Sequence, residues 1–146
     1  MPATIRPLAA ADHDRWRELW TGYLDFYETA AAEEVYARTW QRLMTEGESP
    51  HGFCAVDVDD RPYGLVHYIF HRSCWTLGDY CYLQDLYVEE AARGTGAGRA
   101  LIEAVYGAAD DHGASTVYWL TQDFNETARL LYDRVAKVTP FIKYTR

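Results

Sequence analysis

The chain has 146 residues and 22 acidic against 14 basic side chains, a formal charge of −8. That length predicts one domain, residues 1–146, able to bury its own core. The charge argues against a nucleic-acid backbone as the main partner. No apolar run approaches the roughly 20 residues of a membrane helix, and no signal-peptide pattern opens the chain, so a cytoplasmic protein is expected. Cys54, Cys74 and Cys81 are odd in number and lack C-x-x-C spacing, which reads as three reduced thiols.

In chain order, Thr4–Pro7 reads as a first strand. Asp12 is placed to cap a helix that carries Trp16, Leu19, Trp20, Tyr23, Leu24 and Tyr27 on one face. A second helix over Glu33–Thr45 has the stripe Tyr36, Trp40, Leu43 and Met44. Phe53–Val58 and Tyr63–Phe70 read as a hairpin turned by Asp59-Asp60-Arg61-Pro62. A turn near Leu77-Gly78-Asp79 feeds a long strand ending at Val88. A helix over Ala100–His112 follows, with Ala97, Leu101, Ala104, Val105 and Ala108 facing in. The chain closes with strand Ser115–Thr121, helix Asn125–Val135 and strand Thr139–Tyr144. The order βααβββαβαβ predicts an α/β fold whose sheet is antiparallel at hairpins and parallel across the helical crossover.

Between the long strand and its following helix lies Arg93-Gly94-Thr95-Gly96-Ala97-Gly98-Arg99. Alternating glycines let backbone N–H groups converge, and a helix N-terminus adds unpaired donors and the positive end of its dipole. With two arginines flanking, the run predicts a pyrophosphate cradle. It is not a P-loop, because Arg99-Ala100 stands where Lys-Ser/Thr is required. A dinucleotide-binding turn would have its third glycine one residue later, although Asp123 could serve as its acid.

The spacing Arg93…Gly96…Gly98 resembles the acetyl-CoA pyrophosphate loop of the GNAT superfamily of N-acetyltransferases. Asn125 and Tyr132 match that family's Asn…Tyr pair in the final helix, and the likeness runs from about Tyr80 to the C-terminus. The resemblance implies a GNAT-type mixed, mostly antiparallel sheet flanked by helices. It also implies acetyl-CoA as co-substrate, no metal, and direct attack by an amine in a ternary complex. Arg93, Gly94, Thr95, Gly96, Ala97, Gly98 and Arg99 would then hold the pyrophosphate. Leu86, Tyr87 and Val88 would pair with the pantetheine arm through main-chain groups, one amide polarising the thioester carbonyl. Asn125 and Tyr132, two helical turns apart, share one face with Ala128; Tyr132 is the candidate acid for the leaving thiolate.

A lysine-like amine is neutral only about one part in a thousand near pH 7.4, a penalty of about 4 kcal/mol. A base is therefore needed, and Asp85 is the candidate. Diamine acetyltransferases carry Glu-Asp where this chain has Gln84-Asp85, so the base stays open at this point. His67 and His71, four residues apart along a strand, stand about 13 Å from each other, too far to share an ion. They read as sheet-surface histidines, one at most lining the substrate groove.

The stretches His71–Trp75, Cys81–Val88, Trp119–Thr121 and Thr139–Phe141 look like the branch holding histone, polyamine and D-amino-acid acetyltransferases. A small-molecule amine acceptor follows. The acidic balance favours a cationic one, with Tyr27, Glu28, Trp75, Gln84 and Asp85 as substrate-binding candidates. An amino-acid α-amine and a histone tail remain alternatives within the class. Outside it stand a non-catalytic acyl-CoA sensor and a nucleotide-binding oxidoreductase. A homodimer, pairing aromatic-rich helices and the closing strand across a two-fold axis, is also expected.

Overall fold

Alternating apolar residues build one five-stranded sheet in the computed structural model, which describes residues 2–146. Its strands are β1 (Thr4–Pro7), β2 (His51–Val56), β3 (Pro62–His71), β4 (Tyr80–Val88) and β5 (Thr116–Tyr118), in spatial order β1-β2-β3-β4-β5. Neighbours are antiparallel as far as β4, and β4–β5 is parallel, the consequence of the crossover through α3 (Ala97–His112). This is the expected mixed, mostly antiparallel α/β architecture.

Helices cover both faces. On one lie α1 (His13–Phe26) and α2 (Glu33–Leu43), where Trp16, Leu19, Trp20, Leu24 and Tyr36 enclose Leu65 of β3. On the other lies α3, whose Ala97, Leu101, Ile102, Val105 and Ala109 pack on Ala55, Val66, Tyr68, Cys81 and Leu83. Ile102 and Ala109 replace the expected Ala104 and Ala108 in the fully buried stripe, a small rotation of the helix about its axis. The last helix, α4 (Glu126–Val135), joins that second face through Leu131, Tyr132 and Val135, with Tyr106 Oη donating to the Val135 carbonyl at 2.8 Å.

Asp12 does not cap α1 with its side chain. Its carboxylate instead accepts the Ala9 N–H at 2.7 Å and both arms of the Arg6 guanidinium at 2.8 and 2.9 Å. A bidentate cation outcompetes a single helical N–H, so Asp12 ties β1 to the start of α1.

One irregularity in β4 decides what faces where. Leu83 pairs with Tyr68 and Asp85 with His67, leaving Gln84 as an extra residue in a β-bulge. Before it, Cys81 and Leu83 point to the α3 face; after it, Leu86 and Val88 do, while Tyr87 packs against the α1 face. Without the extra residue, Asp85 would fall in the α3 core. With it, Asp85 meets His67 on the α1 side.

The structure moves several boundaries and removes one expected strand; α2 ends at Leu43 rather than Thr45. α3 begins at Ala97 rather than Ala100, because Gly96 makes the left-handed turn (φ 88°) and the helix starts at once. β2 spans His51–Val56, since Asp57 already turns to accept the Asp59 and Arg61 N–H groups. β5 is only Thr116–Tyr118, the stretch that β4 can reach. The closing strand Thr139–Tyr144 does not form: Phe141, Ile142 and Tyr144 are 76–89% exposed. Its alternation supplies propensity, but a strand needs a neighbouring edge.

Candidate active site

β4 and β5 are paired only at Tyr80, Cys81 and Tyr82, so the sheet opens below them and the β5-facing edge of Leu83–Val88 lacks a ladder partner. A cleft of about 730 Å³ lies here, lined by Leu86, Tyr87 and Val88, by the glycine turn, and by Asn125, Ala128, Leu131 and Tyr132 of α4. β4, the glycine turn and the α4 pair thus converge on one space, Arg93, Gly94, Gly96, Ala97, Gly98 and Arg99 among its walls. Thr95 is turned away, its hydroxyl donating to the Ala92 carbonyl at 2.6 Å.

The floor of the turn is built for an anion. Gly94 (φ 80°) and Gly96 (φ 88°) both adopt the left-handed region that a Cβ disfavours. The first intrahelical bond of α3 is Ala100 N–H to Gly96 C=O at 3.0 Å. Hence the N–H groups of Ala97, Gly98 and Arg99 lie outside the helical ladder at the positive end of the dipole. Three arginines, Arg93, Arg99 and Arg134, line the cleft, and no Asp or Glu does. Glu103, which does not line the cleft, pairs with Arg99 Nε at 2.7 Å, so the lining carries net positive charge in a chain of net −8. Arg93 also holds the turn to the strand, its Nε donating to the Val88 carbonyl at 3.0 Å with the guanidinium over the Tyr87 ring at 5.6 Å.

Two features position the remaining side chains. Gly22 of α1 lets the Tyr87 ring lie against the helix, since a Cβ there would fall 2.6 Å from its hydroxyl. Asn125 caps α4, its side-chain oxygen accepting from Ala128 N–H at 3.4 Å, which fixes the start of the helix that presents Tyr132. Burial first, then the neighbouring Tyr27, pushes the Tyr132 phenol up to about 12. It stays protonated across the physiological range, a donor rather than a base.

Asp85 is 8% exposed and linked into the core. His67 Nδ1 stands 2.8 Å from Asp85 Oδ2, and Trp16 Nε1 donates to His67 Nε2 at 3.0 Å. Tyr23, Tyr27 and Tyr82 surround the carboxylate: each phenol is raised, by burial first and then by the Asp85 charge. Tyr23 and Tyr27 also line the cleft, so Asp85 sits behind its aromatic wall.

The other substrate candidates are dispersed. Trp75 is exposed and lines a second, more apolar groove of about 820 Å³ between β5, α4 and residues 136–141, which shares only Tyr132 with the cleft. Gln84 is the exposed bulge residue, and Glu28, in a left-handed conformation (φ 55°) just beyond α1, is exposed; neither lines either space. His67 corrects the surface reading: it is 1% exposed, while His71 is exposed and bonded to Tyr118 Oη at 2.7 Å. Cys54 and Cys81 are buried, and burial pushes both thiols up to about 11, away from nucleophilic use. Among the described residues, no helix is long and apolar enough to cross a membrane.

A mixed sheet opens between β4 and β5, and the glycine turn with its free helix N–H groups stands at the mouth of the split. The acetyltransferase (GNAT) family matches residues 14–136, and the chain belongs to that family. It is an acetyltransferase of the GNAT kind. The D-amino-acid N-acetyltransferase HPA3 of Saccharomyces cerevisiae is 36% identical over 143 residues, 97% of this chain and 89% of the yeast protein. A thialysine N-epsilon-acetyltransferase of Caenorhabditis elegans is 32% identical over 94 residues, 64% of this chain and 58% of that protein. In fold, the chain superposes on AAC(6')-Iy, solved in complex with the bisubstrate analogue CoA-S-monomethyl-acetylneamine, with a TM-score of 0.83 at 16% identity over 100% of this chain and 98% of that one.

Proposed function

We propose that this chain moves the acetyl group of acetyl-CoA to the primary amine of a small cationic molecule, lysine-like or polyamine. The observation that carries this reading is the pairing of two oppositely charged places on one strand. A cleft lined by three arginines lies at the C-terminal end of β4, and a buried carboxylate ringed by phenols lies just before it.

The residues fit the donor. Arg93, Arg99 and the free N–H groups of Ala97, Gly98 and Arg99 hold the pyrophosphate, with Gly94 and Gly96 shaping the turn and Thr95 bracing it. The unpaired edge of Leu86, Tyr87 and Val88 receives the pantetheine arm, and one of its amides donates to the thioester oxygen. Asn125 and Tyr132 close the cleft from α4. Acetyl-CoA supplies an activated acetyl thioester; the rest of the chemistry belongs to this chain.

Asp85 attracts the ammonium group; the neutral amine, roughly 4 kcal/mol uphill near pH 7.4, forms by loss of one proton to solvent, and Asp85 takes the second proton as the new C–N bond makes the nitrogen acidic. Tyr23, Tyr27 and Tyr82 offer ring faces to the remaining charge. The freed nitrogen lone pair forms the C–N bond as the C–S bond breaks, and Tyr132 donates its phenolic hydrogen bond to the departing sulfur. At about 12, outright proton transfer to a thiolate near 8.5 would be uphill by roughly 5 kcal/mol. Tyr132 therefore stabilises the thiolate by a hydrogen bond, and solvent completes the protonation.

The name of the yeast relative favours a second acceptor, an amino-acid α-amine. Thiol release from acetyl-CoA separates the two when run against thialysine, lysine, spermidine, D- and L-amino acids and a histone-tail peptide. The proposal expects the lysine-like and polyamine acceptors to lead, with N-acetyl product equal to thiol released. Turnover confined to α-amines would favour the second reading. Silence across the panel with acetyl-CoA still bound would point to a sensor.

A further inference from the structure

His67 lies in the middle of β3, wholly buried, in a strand whose other inward residues are apolar. Its two ring nitrogens have different partners, and these fix its tautomer. The indole N–H of Trp16 can only donate, so His67 Nε2, 3.0 Å away, must accept. The ring proton then sits on Nδ1 and is donated to Asp85 Oδ2 at 2.8 Å. Trp16 cannot turn aside: it is 0% exposed, stacked on Trp20 at 5.7 Å and packed against Trp40 at 5.0 Å. Trp20, also of α1, meets the imidazole edge-on at 6.2 Å.

We propose that His67 is the positioning residue of this site: the chain Trp16→His67→Asp85 orients the carboxylate that receives the amine proton. The inference rests on the reading of Asp85 as the base. With Oδ2 engaged by His67, the proton leaves the substrate nitrogen for Asp85 Oδ1. It goes no further inward, because protonating Nε2 would set an imidazole N–H against the Trp16 N–H. His67 therefore orients without relaying, and Asp85 returns its proton outward past Tyr23, Tyr27 and Tyr82 once product leaves. The β4 bulge at Gln84 brings the two side chains together, so this arrangement is written into the backbone as well.

The test combines a spectrum with three variants. In 15N-labelled protein at neutral pH, the long-range proton–nitrogen correlation of His67 should show a protonated Nδ1 and an unprotonated Nε2. A protonated Nε2, alone or in an imidazolium, overturns the proposal. His67→Leu should lower kcat by about tenfold to a hundredfold while KM for acetyl-CoA stays unchanged. His67→Asn, whose amide N–H can stand near the Nδ1 position, should recover most of the loss. Thialysine and spermidine serve as acceptors, and Asp85→Asn is the control. An inactive Asp85→Asn beside a fully active His67→Leu sinks the role of His67 alone. A fully active Asp85→Asn removes the base and this inference with it. Should His67→Leu not fold, the spectrum and His67→Asn still decide the matter.

Discussion

Tyr132 and Asp12 illustrate how a single group is set by its neighbours. Tyr132 is edge-on to Trp119 at 5.4 Å, and the burial that raises its phenol to about 12 keeps it neutral, with its proton in place to donate. Tyr132→Phe should lower kcat at least tenfold and leave acetyl-CoA affinity within about twofold, because the role proposed for it loses only a hydrogen bond to the departing sulfur. Steady-state kinetics with a calorimetric titration separates the two effects. For Asp12, the Arg6 guanidinium is the largest influence and holds the carboxyl below its ordinary 3.8. A folded value below the unfolded one contributes stability above about pH 3.8, and that stability is lost as pH falls through the folded value. Asp12→Asn should cost about 2 kcal/mol at pH 7, with the gap to the parent narrowing in urea titrations below pH 4. Sequence shows these residues but not their partners: the spacing that suggested an N-cap says nothing of a cation six positions back. Likewise His67 finds Trp16 51 residues away, and a lone histidine in an apolar strand carries no sign of that bond.

Elements were legible where periodicity and packing agree. The stripe on α1 was readable from its 3.6-residue repeat, and the glycine turn from its strand–turn–helix setting. The start of α3 was not, because glycines suggest loop while the helix begins inside the glycine run. The closing strand was over-read for the opposite reason, its alternating apolar residues having no edge to join. Arg134 was missed as a cleft residue because a basic residue in a last helical turn ordinarily serves the dipole. The bulge at Gln84 has no sequence signature, yet it governs every side chain after it. Deleting Gln84 should turn Asp85 into the α3 core and Leu86 toward α1, so that the protein fails to give a cooperative thermal transition. Gln84→Ala keeps the bulge and should melt within about 2 °C of the parent, since the side chain is exposed. A deletion variant that melts normally would show that β4 can re-register.

Across the whole molecule, charge is sorted by task. A chain of net −8 has a cleft lined by three arginines and no acid, so the attraction proposed for acetyl-CoA is local and screened by salt over roughly 10 Å at 0.1 M. KM for acetyl-CoA should rise as salt increases, whereas flat behaviour would mean that the arginines contribute little. Val138, Phe141, Ile142 and Tyr144 are each exposed; we propose that they pair two chains, and light scattering at micromolar concentration should then read twice the mass of one chain. The central claim remains the cradle between β4 and α3, and its most direct test is calorimetric titration of acetyl-CoA into the parent protein and Gly96→Asp. The account predicts saturable binding by the parent and none by the variant, whose added carboxylate and side chain occupy the pyrophosphate position from a backbone at φ 88°. Equal affinity in the two proteins would contradict it.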